Sequence, residues 1–190
     1  MFTLPITDRL ALHQRQLSDA EEMFALTEAN RAHLRRWLPW LDHCTSVADT
    51  RRSIESTLRQ AEERTGLAAS IREDGRIVGV ISFNSYDLAS RIGHLGYWLD
   101  AAHQGRGLMT AACRTLIAYG FDTLSLNRLV IACAADNARS RAIPERLGFS
   151  LEGIAREAEW LYDHFVDHAV HALLRRDWEG QAAAHARGQR

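Results

Sequence analysis

"HQGRGLMTAACRTLIAYG", residues 103–120, is the stretch on which the fold turns. Upstream lies IGHLGYWLD (92–100), which reads as a strand; downstream lies RLVIACA (128–134), a short apolar run of strand length. Between them two glycines flank an arginine, and an amphipathic helical pattern follows over residues 106–121. Strand, glycine turn, helix and strand in that order form a crossover unit, with parallel strands and a right-handed connection. Glycine lets the backbone take positive φ and approach a ligand closely. The first amides of a helix point outward unpaired, at the positive end of the helix dipole. Such a turn suits an anion. It is not the GxGxxG fingerprint of dinucleotide-binding folds, because only Gly-Arg-Gly is present and the strand before it is not the first of the chain.

Working outward, LAASIRE (67–73) and RIVGVISFN (76–84) flank a Glu-Asp-Gly turn as a hairpin. RLALHQR (9–15) alternates like a strand. Ser18 with Glu21 forms a capping-box pattern that opens a helix through about Leu34, and a second helix is predicted from Asp49 to about Arg64. A short helix near 138–147, GFSLEGIAREAEW (148–160) and a last strand over about 164–174 complete the order. Pro144 falls inside that short helix and cannot donate to the carbonyl of Ser140, which predicts a local distortion.

No repeat, low-complexity tract or linker divides the 190 residues, and 46% hydrophobic content supplies one sizeable core. One domain is expected over residues 1–178, with EGQAAAHARGQR (179–190) as a tail. A formal charge of −1 argues against a sequence-independent grip on nucleic acid, which needs a basic excess. No run of 18 apolar residues exists, and MFTLPITDRL lacks a basic and an apolar leader region, so a soluble cytoplasmic protein without a membrane partner is expected. Cys44, Cys113 and Cys133 are odd in number and unclustered, and read as core thiols. All 23 basic side chains are arginine; with no lysine, the P-loop and pyridoxal chemistries drop out. Arginine suits phosphate, because its fork binds two oxygens and stays charged.

ADNARSRAIPERLGFSLEG (135–153) places Asp136, Asn137 and Ser140 at the mouth of the short helix and ends in the LGF element. Strand GYWLD, turn HQGRGLM, strand RLVIACAADN, Asn137 with Ser140, and LGFSLEG together resemble the GNAT N-acetyltransferase superfamily, in its RimJ/RimL-type branch, over about residues 5–177. That resemblance implies a mixed α/β GNAT fold: a mostly antiparallel central sheet of about seven strands flanked by helices, splayed at the parallel fourth and fifth strands. It implies acetyl-CoA as acetyl donor and no metal. Gln104, Gly105, Arg106, Gly107, Leu108, Met109 and Thr110 would hold the pyrophosphate through backbone amides, with Arg106 and Arg139 neutralising phosphate. Gly96, Tyr97, Trp98 and Leu99 would lend main-chain groups to the pantetheine and acetyl carbonyl, and Asn137 would contact the pantetheine arm.

By the same resemblance Ser140 protonates or hydrogen-bonds the leaving thiolate, and Glu159 is the base that acts on the amine through water, with Glu157 sharing its strand face as the alternative. An α-amine with a pKa of about 7.7 to 8.0 is roughly a quarter neutral near pH 7.4, against about 0.1% for a lysine, so a protein N-terminus needs only modest help. Trp37, Trp40 and Asn84 are the candidate acceptor contacts. The acceptor implied is a protein N-terminus, a ribosomal protein first, and the oligomer a homodimer; a small-molecule amine and a non-catalytic acyl-CoA-binding module are the competing readings. Plainer readings stand beside these: Asn137 and Ser140 also fit a helix cap, Glu159 a solvated strand residue, and the tryptophans ordinary core. His164, His168 and His171 have a metal-like spacing only on a helix, whereas their surroundings read as a strand. Two positions depart from the wider superfamily: Met109 stands where glycine or alanine is usual, methionine being common in the RimJ/RimL branch, and Ser140 stands where a tyrosine often serves as acid.

Overall fold

The computed structural model describes residues 2–180. In chain order the strands are β1 (Thr3–Pro5), β2 (Leu10–Gln14), β3 (Leu67–Glu73), β4 (Arg76–Asp87), β5 (Ile92–Leu99), β6 (Arg128–Ala134), β7 (Ser150–Leu161) and β8 (His164–Leu174). The helices are α1 (Ala20–Ala29), α2 (Arg31–Leu34), α3 (Val47–Glu62), α4 (Leu108–Asp122) and α5 (Ala138–Arg146), and residues 175–180 are helical as well, the rest of the expected tail lying outside the described residues. All eight strands join one sheet in the order β1-β2-β3-β4-β5-β6-β8-β7. Every pairing is antiparallel except β5 with β6, the crossover that α4 spans. The expected mixed sheet is therefore present with eight strands where about seven were expected. The extra one is β1, whose three residues are too few to show a period and which is held by pairing with β2 and by Leu4 packing against the core.

Local chemistry explains most of the boundaries. Asp74 and Gly75 both take positive φ, 50° and 80°, as a two-residue hairpin loop needs, and so close β3 onto β4. Ser46 caps α3 by accepting from the Asp49 amide. The first helix starts differently from the Ser18–Glu21 expectation. The capping box is Gln16 with Asp19, across a single 3-10 turn, the Asp19 carboxylate accepting from the Gln16 amide. Nor does that helix run unbroken to Leu34. It stops at Asn30, whose side chain donates to the Leu26 carbonyl and accepts from the Ala101 amide at 2.9 Å, a tertiary contact that competes with helix continuation.

Strand alternation gives the sheet two working faces. One carries Ile81, Phe83, Leu95, Leu129 and Ile131, which pack with Leu116, Ile117 and Phe121 of α4. A methyl group on Gly120 of α4 would lie 2.7 Å from the Phe83 ring, so the glycine lets helix and sheet close on that ring. The opposite face carries Val80 and Trp98, which meet Met23 and Leu26 of α1. Among the cysteines only Cys113 is a core thiol. Cys44 and Cys133 are half-buried. Among the described residues no helix is long and apolar enough to cross a membrane.

His171 of β8 is fully buried, and neither ring nitrogen has a partner in hydrogen-bonding geometry. Burial holds its pKa below the usual 6.5, against the pull of the nearby Ala169 backbone and the Glu145 carboxylate. Because the unfolded chain binds this proton more readily than the folded one, the neutral ring is compatible with folding above pH 6.5, and stability is lost as pH falls below that. Urea unfolding of wild type and His171→Leu at pH 7.5 and pH 5 measures this. The wild type should lose stability relative to the variant at up to about 1.4 kcal/mol per pH unit below 6.5, and parallel losses in both proteins would contradict it.

Candidate active site

The parallel pairing of β5 with β6 runs from Ile92 opposite Arg128 to Leu95 opposite Ile131 and then stops, although β5 continues to Leu99 and β6 to Ala134. Each keeps its outer partner: Gly96–Leu99 stays paired with β4, and Ala132–Ala134 with β8. Between the two lies a wedge whose facing backbone groups have no ladder partner in the sheet, an arrangement that favours a ligand able to supply one. A bulge in β4 sits beside the point of parting, with the register shifting between Phe83 and Ser85. The extra residue is Asn84, whose amide oxygen accepts from the Ser82 hydroxyl at 2.6 Å. Its side chain lies over Gly96, where any Cβ would come within 2.4 Å of it. Gly96 and Asn84 are thus complementary, and both border the wedge.

The glycine turn follows β5. Gly105 and Gly107 hold φ of 75° and 78°, and a methyl on either would meet nothing within 4 Å. The glycines serve backbone conformation here, and the space before them is open. Gly107 is the N-cap of α4, which no side chain caps, so the outward amides of its first turn remain for a ligand. Met109 is buried and Leu108 half-buried, so these two residues offer backbone to that side; the Thr110 hydroxyl accepts from Arg146 at 2.8 Å.

The arginines are distributed otherwise than expected. Arg106 grips Glu73 of β3 through two bonds of 2.9 and 2.7 Å, so its charge is already met. Arg139 donates to the side chain of Gln104 at 2.7 Å, and the other end of that amide lies 2.7 Å from His33 Nε2 of α2. Burial, then the charges of Arg139 and Arg36, hold the His33 pKa below its usual value. Arg146 was not singled out from the sequence, yet it stands seven residues from Arg139 on α5, a spacing that keeps both on one helix face.

Beyond the end of β6, Asn137 is the N-cap of α5, accepting from the Ser140 amide at 3.1 Å. The plain capping reading is therefore correct for Asn137. Pro144 does remove the ladder bond to the Ser140 carbonyl, but α5 runs unbroken over Ala138–Arg146. The Tyr97 hydroxyl supplies the missing donor at 3.1 Å, and the Ser140 hydroxyl lies 3.4 Å from the same phenol. Burial pushes the Tyr97 pKa well above the usual range, so it is a neutral donor. The Ser140 hydroxyl also reaches the Cys133 thiol, whose pKa burial raises.

The opposite face holds the other candidates. Glu159 pairs across β7–β8 with Val166, two residues from His168, and its carboxylate lies 3.4 Å from His168 Nε2. Residues 156–158 form a wide bulge in which Glu157 has φ 50° and its amide donates to Asp167 at 2.8 Å. That bulge interrupts the strand between Ala155 and Glu159, whose cross-strand partners His168 and Val166 share one face of β8. Trp98 meets Trp40 at 6.5 Å between ring centroids, and Arg36 lies over Trp37. Both Trp37 and Trp40 are half-buried, neither core nor free surface. His171 points to the face opposite His168, and among the described residues no three His, Cys, Asp or Glu side chains converge as a metal site.

The acetyltransferase (GNAT) domain family matches residues 9–150. The ribosomal-protein-serine acetyltransferase of Escherichia coli (strain K12) is 31% identical over 172 residues, 90% of this chain and 96% of its own. Among solved structures, the microcin C7 self-immunity acetyltransferase MccE, in complex with acetyl-CoA and AMP, matches with a TM-score of 0.86 and 31% identity, covering 89% of this chain and 94% of that one. RimL, the ribosomal L7/L12 α-N-protein acetyltransferase, holds coenzyme A in a disulfide with one of its cysteines. It matches with a TM-score of 0.89 and 28% identity, covering 93% of this chain and 99% of that one.

The Tyr97 bond to Ser140 can be tested within the chain itself. Tyr97→Phe should cost about 1–3 kcal/mol in chemical denaturation, because it strands a carbonyl that Pro144 has already removed from the helix ladder. Adding Pro144→Ala supplies an amide four residues on and should recover part of that loss; strictly additive effects of the two changes would show that the phenol does not serve this carbonyl.

Proposed function

The chain belongs to the GNAT acetyltransferase family, and from that premise we propose that it transfers the acetyl group of acetyl-CoA to the N-terminal α-amine of a protein, a ribosomal protein first among the candidates. The observation that carries this reading is the parting of β5 from β6 beside an uncapped α4, with Ser140 and Glu159 on opposite faces of the sheet. An extended pantetheine arm in the wedge would receive the backbone bonds that the strands lack, and its pyrophosphate would meet the amides after Gln104. Arg139 and Arg146 flank that turn and are the arginines placed to share phosphate charge, while Arg106 braces the turn through Glu73.

The chemistry then divides by face. An amine arriving on the Trp98 side gives a proton to Glu159, directly or through one water, and attacks the thioester carbonyl; its nitrogen forms the amide bond as the carbon–sulfur bond breaks. The departing thiolate is on the α5 side, where the Ser140 hydroxyl can give it a proton or a hydrogen bond. No covalent enzyme intermediate is needed. The coenzyme A disulfide in RimL supports placing the sulfur near Cys133, the half-buried thiol beside Ser140. A second reading, acetylation of an aminoacyl-nucleotide, is favoured by the AMP complex of MccE and by the aromatic wall of Trp40 and Trp98, which suits a flat ring. A homodimer belongs to the same proposal. It is supported by Leu151, Ile154, Trp160 and Phe165, exposed on one face of the β7–β8 hairpin. The cytoplasm, where ribosomal proteins are made, is the compartment this reading implies.

Thiol release from acetyl-CoA separates these readings, with a serine-initiated ribosomal stalk-protein peptide set against aminoacyl-adenylate analogues and simple amines. The peptide should be preferred, and Glu159→Gln should lower kcat/KM at least tenfold at pH 6.5. The deficit should narrow above about pH 8, where an α-amine loses its proton unaided. Turnover of the nucleotide analogue alone would transfer the function to the second reading. Acetyl-CoA binding with no turnover of any acceptor would favour a non-catalytic module.

A further inference from the structure

β7 and β8 are joined by a loop of two residues, Tyr162 and Asp163, and Tyr162 holds φ 61°. That left-handed conformation suits glycine or asparagine, and a bulky side chain there is uncommon. The tyrosine is fixed from outside the hairpin. Its hydroxyl donates to the Leu38 carbonyl at 2.5 Å, a contact between residues 124 positions apart in sequence. Its ring lies under the Arg35 guanidinium, 3.8 Å from the ring centroid, and Arg35 is itself held by Asp42 through bonds of 2.9 and 2.8 Å. Burial, then the Asp42 charge, raises the phenol pKa, so the donor stays protonated.

Leu38 lies between Trp37 and Trp40, directly before Pro39. The bond from Tyr162 therefore fastens the tryptophan segment to the end of the last hairpin, while Trp40 rests on Trp98 at the wedge. Tyr162 also borders an open cleft of about 660 Å³, together with Ala32, Arg35, Arg36 and Asp42. We propose that Tyr162 is a positioning residue for acceptor specificity: a strap that holds residues 37–40 to the last hairpin, and with them Trp40 against Trp98, on the side from which the acceptor's polypeptide N-terminus enters. This rests on the protein N-terminus reading above. Tyr162 acts through Leu38 and Arg35, whereas the coenzyme pyrophosphate is met at the glycine turn, so the acceptor is the substrate on which the strap acts.

Two variants distinguish a strap from a residue that merely stabilises the fold. Tyr162→Phe keeps the ring and removes the hydroxyl; Tyr162→Asn suits the left-handed backbone and removes both contacts. With the stalk-protein peptide as probe, both should raise the acceptor KM about fivefold to tenfold and leave kcat and the acetyl-CoA KM within twofold. Tyr162→Asn should do so without a matching fall in melting temperature, because it relieves the turn. Amide exchange across residues 35–44 of the acetyl-CoA-bound protein should quicken about tenfold in Tyr162→Phe. Unchanged exchange there, or equal rises in both KM values, overturns the strap. Should the wild type turn over no peptide, the acceptor reading fails by itself, and the exchange measurement still decides whether Tyr162 fastens this segment.

Discussion

The early end of one parallel ladder governs this molecule. A sheet buries its backbone polar groups only by pairing them, and here β5 and β6 stop pairing after Leu95 and Ile131 while each remains anchored to its outer neighbour. The bulge at Asn84 bends one wall, the side-chain-free Gly96 accommodates it, and α4 starts where the wedge leads out. Packing elsewhere, including the Phe83 ring wedged against Gly120, keeps α4 close to the sheet, so the opening is confined to the strand ends.

Ser140 shows how a local defect becomes a constraint over a distance. Pro144 withdraws one amide from a helix of nine residues, and the orphaned carbonyl recruits the phenol of Tyr97 from β5. The serine is thereby tied at its backbone to the strand that borders the wedge. A regular helix would satisfy itself and leave α5 free to shift against β5.

Features set by neighbours in sequence were legible. Asp74-Gly75 announces its hairpin, β6 occupies residues 128–134 as expected, and the glycine turn lies between parallel strands. Features set by distant partners were not. β1 is too short to show a period, and the stop at Asn30 depends on Ala101. The bulge at Glu157 depends on its backbone bond to the Asp167 carboxylate. Arg106 matched the phosphate expectation by position, but its charge is taken by Glu73, 33 residues away. Tyr162 carried no motif at all; only its φ and its bond to Leu38 mark it.

The arginines around the glycine turn, Arg106, Arg139 and Arg146, stand in a chain without a single lysine. A lysine beside an acyl thioester is both a charge and a rival nucleophile, and one stray acylation would erase the charge for good. Guanidinium stays protonated at physiological pH and offers no amine to the acyl group. An acetyltransferase of this composition has no side-chain amine of its own to modify.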